Sequence, residues 1–324
     1  MAAAIEPLDL VDIAVLLNYE RATTTEAFRN TKVREIAYPG DALHTLRYGS
    51  EPPADWNRND RTVIVLDKVS PQGDRQLPAT MKSPVNFVSS NLTEQQLETI
   101  FYRIRAHEGS VLVTLLLEAF FSMFPPDTKL CIRHAPKDKQ PNTFYITSIC
   151  NRSIVQDVLV KPKFSTVLVV PQERRMKHSG TGPEMAHWYT GFSAPNSEEI
   201  TSVLDLTSMQ FGEVGRGPGR EGRMLFALDT KTDYEERLNR IANGVDLARR
   251  QVNTSMVMAG GAPLEKVVCK VKERWEKRDT EKWCGHCGAP EPEFRCAGCR
   301  NVWFCNKEHQ KMMWSFHKGY CNKG

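Results

Sequence analysis

The stretch CGHCGAPEPEFRCAGCRNVWFCNKEHQKMMWSFHKGYC, residues 284–321, decides the fold of the C-terminal part of this chain. Its cysteines and histidines form four close pairs: Cys284 with Cys287, Cys296 with Cys299, Cys305 with His309, and His317 with Cys321. In each Cys-x2-Cys pair a short turn directs two sulfurs toward one ion, and tetrahedral zinc takes four such sulfur or nitrogen ligands. On a helix, the spacing of four in the two later pairs places both members on one face. Eight donors therefore predict two closed structural zinc sites, with no coordination position left for water.

One further donor, His286, lies inside the first Cys-x2-Cys pair. Because the eight other side chains already fill two tetrahedral sites, we expect His286 to be exposed and to bind no metal. A set of disulfides is the alternative explanation for clustered cysteines. Four pairs at metal-ligand spacing favour zinc over it.

The composition indicates a folded protein of the cell interior. Of 324 residues, 40% are hydrophobic and 25% charged, so most of the chain can bury a core, and the net charge of +4 is too small to indicate a nucleic-acid partner. The most apolar stretch, residues 111–117, is far shorter than the ~20 residues of a membrane-spanning helix. The N-terminus carries acidic residues where a secretory signal has basic ones. We therefore expect a nuclear or cytoplasmic location, no membrane contact and reduced thiols.

The run FCNKEHQKMMWSFHKGYC, residues 304–321, resembles the end of an MYND-type zinc finger. The resemblance includes the aromatic Phe304 before the fifth ligand, Gln310 just after the sixth, Trp314, and the closing His317-x3-Cys321. Two positions depart from the family pattern. His309 stands where cysteine is more common, which zinc tolerates because imidazole is an equally good ligand. Met313 stands where an acidic residue is common, so a partner contact that relies on charge there is not expected.

The resemblance implies how the eight ligands are shared. In MYND fingers the pairs interleave, which implies one site of Cys284, Cys287, Cys305 and His309 and a second of Cys296, Cys299, His317 and Cys321. The spacing by itself leaves a serial pairing open. A module this short buries little apolar surface, so zinc should supply most of its folding free energy. We expect chelation to unfold residues 284–321 and to leave the rest of the chain folded.

The resemblance also implies a docking function, with a protein or a short peptide, proline-containing ones among them, as partner. It points to Gln310 and Trp314 as the contact residues. Residues 301–304 are expected to form a strand whose edge could pair with an extended peptide. The alternative for Phe304 and Trp314 is that they fill the core of the finger. The basic side chains of the finger are expected to be a solvated face rather than a nucleic-acid site; they are Lys307, Lys311, Lys318 and Lys323.

The rest of the chain has an α+β pattern, without the regular βαβ alternation that demands a parallel sheet. Capping boxes, in which a threonine is followed three residues later by Gln or Glu, predict helix starts at Thr93 and Thr232. We expect residues 1–245 to form an α+β domain of unknown function and residues 281–324 to form the finger. Residues 246–280 carry an apolar stripe among charged residues and are predicted to form a solvated helical spacer.

The α+β domain offers a weak indication of catalysis, and we expect a non-enzymatic protein. His187 and Asp205 on consecutive strands match the way papain-like or transglutaminase-like hydrolases and transferases orient a general base. The upstream helix expected to begin at Ser110 offers serine where those enzymes have cysteine, so the alternative function is a papain-like enzyme or its inactive relative. The competing interpretation is a core histidine and an aspartate in a turn. No methyltransferase motif of the SET type is present, and residues 212–223 are expected to form a mobile surface loop.

Overall fold

The computed structural model describes residues 6–24, 31–39, 41, 60–68, 92–107, 109–135, 143–251 and 261–322. Two residues of the predicted finger, Lys323 and Gly324, lie outside these ranges. The α-helices of the described residues are α1 (Leu10–Thr24), α2 (Glu94–Ala106), α3 (Ser110–Phe121), α4 (Lys231–Ile241), α5 (Gly261–Glu276) and α6 (Lys307–His317).

The largest sheet described is antiparallel and has the order β11-β10-β9-β6-β12. Alternation along β6 and β9 turns Val155, Leu159 and Tyr189 to one face, where they pack in a buried cluster with Tyr234 and Leu238 of α4. The strands are β6 (Arg152–Pro162), β9 (Glu184–Ser193), β10 (Ile200–Asp205), β11 (Ala227–Thr230) and β12 (Ala242–Gln251).

Three smaller sheets complete the described strands. Their orders are β2-β3-β7-β8, β1-β4-β5 and β13-β14. The pairs β3–β7 and β1–β4 are parallel, and each joins strands far apart in sequence, which is why no local βαβ pattern indicates them. The strands are β1 (Leu8–Asp9), β2 (Thr31–Ala37), β3 (Asp60–Lys68), β4 (Lys129–Arg133), β5 (Phe144–Ser148), β7 (Phe164–Val170), β8 (Arg175–Ser179), β13 (Phe294–Arg295) and β14 (Trp303–Phe304). The predicted α+β class is confirmed.

One of the two predicted helix caps is correct and the other is displaced. Thr93 caps α2 in a complete capping box with Gln96. The α4 cap is not Thr232 but Thr230, whose Oγ1 accepts a hydrogen bond from the backbone N–H of Asp233 at 3.2 Å. Thr232 lies inside the first turn because the helix already begins at Lys231. The sequence offers two threonines two residues apart, and only the strand β11 before the helix decides between them.

The Thr230→Ala substitution is expected to destabilise the protein by about 1 kcal/mol, because it removes the acceptor for one N–H of the first turn. Thr232→Ala is the matched control, since this exposed threonine lies in the first turn of the same helix. Urea unfolding of the two variants measures the difference. An equal loss in both variants would contradict Thr230 as the cap.

The helix α5 exists, but it is not a solvated spacer. It packs against α1 and α3. Its apolar stripe, with Val267, Val268 and Val271, is buried in one core with α1. The predicted stripe is confirmed, and the helix is amphipathic because it covers the body. Residues 246–251, predicted to begin the spacer, are the end of strand β12, and the division of the chain into domains stays a prediction.

The finger shares this core and is fastened to the body by polar contacts. Cys284, Cys287 and Phe304 are buried in the same cluster as the residues of α1. Arg274 of α5 donates from one nitrogen to Glu20 of α1 at 2.7 Å and from the other to the carbonyl of Gly288 at 2.8 Å. A further hydrogen bond joins the last residues of the finger to the body: the Tyr320 hydroxyl donates to the carbonyl of His134 at 2.6 Å. Residues 284–321 are thus built into the body rather than attached beside it.

Much of the glycine- and arginine-rich stretch at residues 212–223 is buried, which corrects the expectation of a surface loop: residues 212 and 215–218 are buried, and residues 220, 221 and 223 are exposed. Arg216 is buried and donates to Glu98 at 3.2 Å and to Glu213 at 3.0 Å. Gly215 packs so closely on the carbonyl of Ser208 that a Cβ would not fit. Gly215 thus serves close packing, and the guanidinium of Arg216 is occupied by carboxylates of the chain itself.

Candidate metal centre

The first donor cluster consists of Cys284, Cys287, Cys305 and His309, all buried, with their ligand atoms within 4.8 Å of one another. The Cys287 and Cys305 sulfurs are 3.7 Å apart, and the Cys284 sulfur lies 3.4 Å from Nδ1 of His309. Around a tetrahedral zinc ion with ordinary bond lengths, two sulfurs lie about 3.8 Å apart and a sulfur and a nitrogen about 3.6 Å. The cluster therefore has the dimensions of a zinc site.

The second cluster consists of Cys296, Cys299, His317 and Cys321 and has the same composition of three thiols and one imidazole. The Cys296 and Cys321 sulfurs are 3.7 Å apart, and Nε2 of His317 lies 3.4 Å from Cys296 and 3.5 Å from Cys299. The interleaved pairing is confirmed, and a serial pairing is excluded. Zinc bound to these thiolates and imidazoles would cross-link the finger, and neither donor set leaves a position for a substrate.

Of the four ligands from Cys305 onward, only His309 and His317 lie on α6. Asn306 begins this helix, and its Oδ1 accepts a hydrogen bond from the backbone N–H of His309 at 2.8 Å. Cys305 precedes this cap and Cys321 follows the last helical residue, His317. The expectation that each pair shares a helix face was therefore wrong in detail. One histidine near each end of α6 faces a cysteine just outside the helix.

His286 is buried, which corrects the expectation that it is exposed. Its Nε2 lies 2.9 and 3.1 Å from the two carboxylate oxygens of Glu98 on α2. Burial raises the pKa of Glu98, but its hydrogen-bonded contact with His286 and the guanidinium of Arg216 outweigh this and lower the pKa to about 2. Glu98 therefore stays ionised at neutral pH. No local pattern indicates this contact, because the two residues are 188 positions apart.

The aromatic side chains on and near α6 differ in their exposure to solvent. Phe304 and Phe316 are buried, whereas Trp314 is 45% exposed and its ring lies 5.9 Å from that of His317. Phe304 fills the core, as its alternative interpretation proposed, and Trp314 does not. Gln310 is half-buried on the same helix. Met313, at the position where the resemblance leads us to expect an acidic residue, is buried.

The strand predicted at residues 301–304 is the shorter β14 (Trp303–Phe304), and it does not have the free edge expected of it. On one side, the Val302 carbonyl accepts a hydrogen bond from Cys296 at 2.9 Å. On the other side, the Trp303 carbonyl accepts one from Gly285 at 2.8 Å. Both edges are thus used inside the finger to hold the two Cys-x2-Cys turns, so an extended peptide cannot add to this strand at Trp303.

His187 and Asp205 do meet, as their positions on consecutive strands predicted. The His187 Nε2 lies 2.9 Å from Oδ2 of Asp205, and the hydroxyl of Tyr234 donates to the same oxygen at 3.1 Å. Gln210 faces the other ring nitrogen of His187 at 3.3 Å. Both members of the pair are at most 2% exposed. Among the described residues, Ser110 forms no hydrogen bond with His187. The geometry is that of a buried polar network, and the papain-like alternative stays an untested hypothesis.

Comparison with known proteins agrees with the donor geometry. The family model described as MYND finger matches residues 284–321. The mouse protein Egl nine homolog 1 is 42% identical over 48 residues, which cover 15% of this chain and 12% of that protein. The likeness is thus confined to a small part of both chains. No solved structure matches. Within the described ranges, every helix falls short of the length and apolar character needed to cross a membrane.

Residues 284–321 are therefore an MYND finger with two Cys3His clusters, which fit two zinc ions. The eight ligands proposed from the sequence are the eight residues of these clusters. The residues that sequence reasoning missed are Glu98 and Arg274, which come from the body and contact the finger only through the tertiary fold, and Arg216, which contacts Glu98.

Proposed function

We propose that this protein recruits a partner protein through the exposed face of α6 in its MYND finger, as part of a regulatory or transcriptional assembly in the nucleus or cytoplasm. MYND fingers are protein-interaction modules, and the finger here is the part of the chain that matches their family model. The observation that carries the proposal is Trp314. It is 45% exposed in a helix whose other large apolar side chains are buried.

The chemistry of this face fits a short peptide. Exposed tryptophans are frequent anchors of protein interfaces, because they bury a large area with few rotatable bonds. Proline-rich peptides adopt an extended helix that docks on aromatic side chains without further loss of backbone entropy. Gln310 on the same helix can supply the polar contact that sets the orientation of such a peptide. The fully used strand edge at Trp303 favours this helix face over strand addition as the docking mode.

The charges around Trp314 do not favour nucleic acid. Lys307, Lys311 and Lys318 are exposed, but Lys311 forms an ion pair with Glu308 of the same helix at 2.6 Å. Three surface lysines, one of them paired, are an ordinary solvated helix face. We propose a peptide partner, with proline-containing sequences as the class to test first.

The Trp314→Ala substitution is expected to weaken peptide binding about 30-fold or more, which corresponds to an interface anchor worth ~2 kcal/mol. The thermal stability should stay close to that of the unmodified protein, since the ring is half outside the core. The measurement is fluorescence polarisation with proline-containing peptides selected on an array by the full-length, zinc-loaded chain.

Phe144→Ala is the matched control, because this aromatic side chain is 61% exposed on the body. Its removal should leave peptide binding unchanged. Equal affinity of the unmodified protein and the Trp314→Ala variant for every selected peptide would contradict docking on α6. So would an equal loss in the Phe144→Ala variant.

A further inference from the structure

A carboxylate of the body stands behind the first zinc site. Glu98 lies on α2, is only 5% exposed, and contacts His286 between the two ligands Cys284 and Cys287. The same carboxylate accepts hydrogen bonds from two nitrogens of Arg216, each at 3.2 Å. Glu98 therefore contacts Arg216 of the body on one side and, on the other side, His286 in the turn between the zinc ligands Cys284 and Cys287.

The ligand His309 faces the same carboxylate. Its Nδ1 points into the donor cluster, 3.4 Å from the Cys284 sulfur. Its other ring nitrogen, Nε2, lies 3.8 Å from an oxygen of Glu98 and 3.8 Å from one of Glu94. This separation exceeds a hydrogen bond, but an ionised carboxylate at that distance still favours the ring orientation that aims Nδ1 at the metal. This orienting effect of Glu98 on the His309 ring adds to the direct contact of Glu98 with His286.

The second zinc site has no such support among the described residues. The rings beside His317 are those of Phe304 and Trp314, and no carboxylate of the described residues forms an ion pair with it. Its ligands Cys299 and Cys321 are partly exposed, whereas all four donors of the first site are buried. The two sites have the same ligand chemistry and differ in what surrounds them.

We infer that Glu98 is a positioning residue for the first zinc site and couples zinc binding there to the fold of the body. It acts through His286, which sets the turn between Cys284 and Cys287, and through the orientation of His309. Because the coupling is a free energy, it is reciprocal: zinc at the first site also strengthens the contact of the finger with α2 and Arg216. Outer carboxylates of this kind change metal affinity about 10–100-fold when they are removed.

The test is cysteine alkylation of the full-length, zinc-loaded chain in the presence of a chelator, followed by mass spectrometry that reports the rate for each cysteine. In the Glu98→Gln variant, Cys284, Cys287 and Cys305 should react about 10–100-fold faster than in the unmodified protein. The rates of Cys296, Cys299 and Cys321 should not change. Glu308→Gln is the matched control, because this exposed carboxylate adjoins His309 in sequence but lies on the outer side of α6. It should leave both sets unchanged.

A purely structural role for Glu98 would open the whole finger and accelerate both sets of cysteines equally. That result would overturn the inference, as would unchanged rates at the first site. If Glu98→Gln does not accumulate as folded protein, His286→Ala removes the finger's side of the contact and leaves Glu98 paired with Arg216. It should give the same selective acceleration of Cys284, Cys287 and Cys305, and equal acceleration of both sets would again overturn the inference.

Discussion

Removal of both zinc ions is expected to destabilise the body as well as to unfold residues 284–321. Structural zinc contributes ~10–16 kcal/mol of apparent binding free energy in finger peptides, which is as large as the whole stability of a typical domain, about 5–15 kcal/mol. Here the zinc-binding turn at Cys284 and Cys287 is part of the core that includes α1 and α5. When the turn opens, the apolar face of α1 loses part of its cover.

The sequence alone predicts a body that stays folded on chelation, and the shared core changes that expectation. Hydrogen exchange of the full chain, followed by mass spectrometry with and without chelator, should show faster exchange in α1 and α5. Helix α4 is the internal control, because it packs in a separate cluster with Leu159 and Tyr189. Restored protection after zinc is added back would show that the effect comes from the metal. Unchanged protection of α1 and α5 without zinc would contradict the shared core.

The Gly288→Ala substitution is expected to destabilise the protein by roughly 2–5 kcal/mol. Gly288 has φ +81°, a left-handed conformation that costs an alanine about 1–2 kcal/mol. A Cβ there would lie 2.7 Å from the backbone oxygen of Val15 and 2.7 Å from Cβ of Tyr19. Overpacking against fixed backbone adds about 1–3 kcal/mol. The displacement would also pull the Gly288 carbonyl away from Arg274, from which it accepts a hydrogen bond at 2.8 Å.

Gly219→Ala separates the two contributions. Gly219 also has a positive φ, +62°, but a Cβ there would meet nothing within 4 Å. It should therefore lose only the conformational part, about 1–2 kcal/mol. Chemical unfolding of both variants in zinc-containing buffer measures the difference. If Gly288→Ala lowers the free energy of unfolding by no more than Gly219→Ala does, the close packing of Gly288 against α1 is contradicted.

The features that the sequence predicts correctly depend on neighbours along the chain. Ligand spacing is set by turns of a few residues, so the donors of residues 284–321 can be assigned to metal from their spacing alone. The Thr93 cap is local for the same reason. The interleaved sharing of the ligands is not local, and it follows from the resemblance to MYND fingers. His187 and Asp205 can be paired because a short connection places consecutive strands side by side.

The features that the sequence does not predict depend on contacts between distant segments. The sequence suggests an exposed His286 without a role, because its partner, Glu98, is far away in sequence and belongs to the body. Residues 212–223 resemble a flexible loop because glycine is common both in mobile loops and where backbones pack closely. The amphipathic pattern of α5 is visible, but a pattern does not say what covers the apolar face. Only the tertiary fold shows that α1 and α3 cover it.

Native mass spectrometry of the full-length chain, purified under reducing and zinc-replete conditions, tests the two-site finger most directly. The expected mass is that of the polypeptide with two zinc ions bound. The Cys321→Ser variant, which removes one ligand of the second site, should retain the first zinc and lose or weaken the second. A chain that carries no zinc, or only one ion at saturating zinc, would contradict two closed tetrahedral sites.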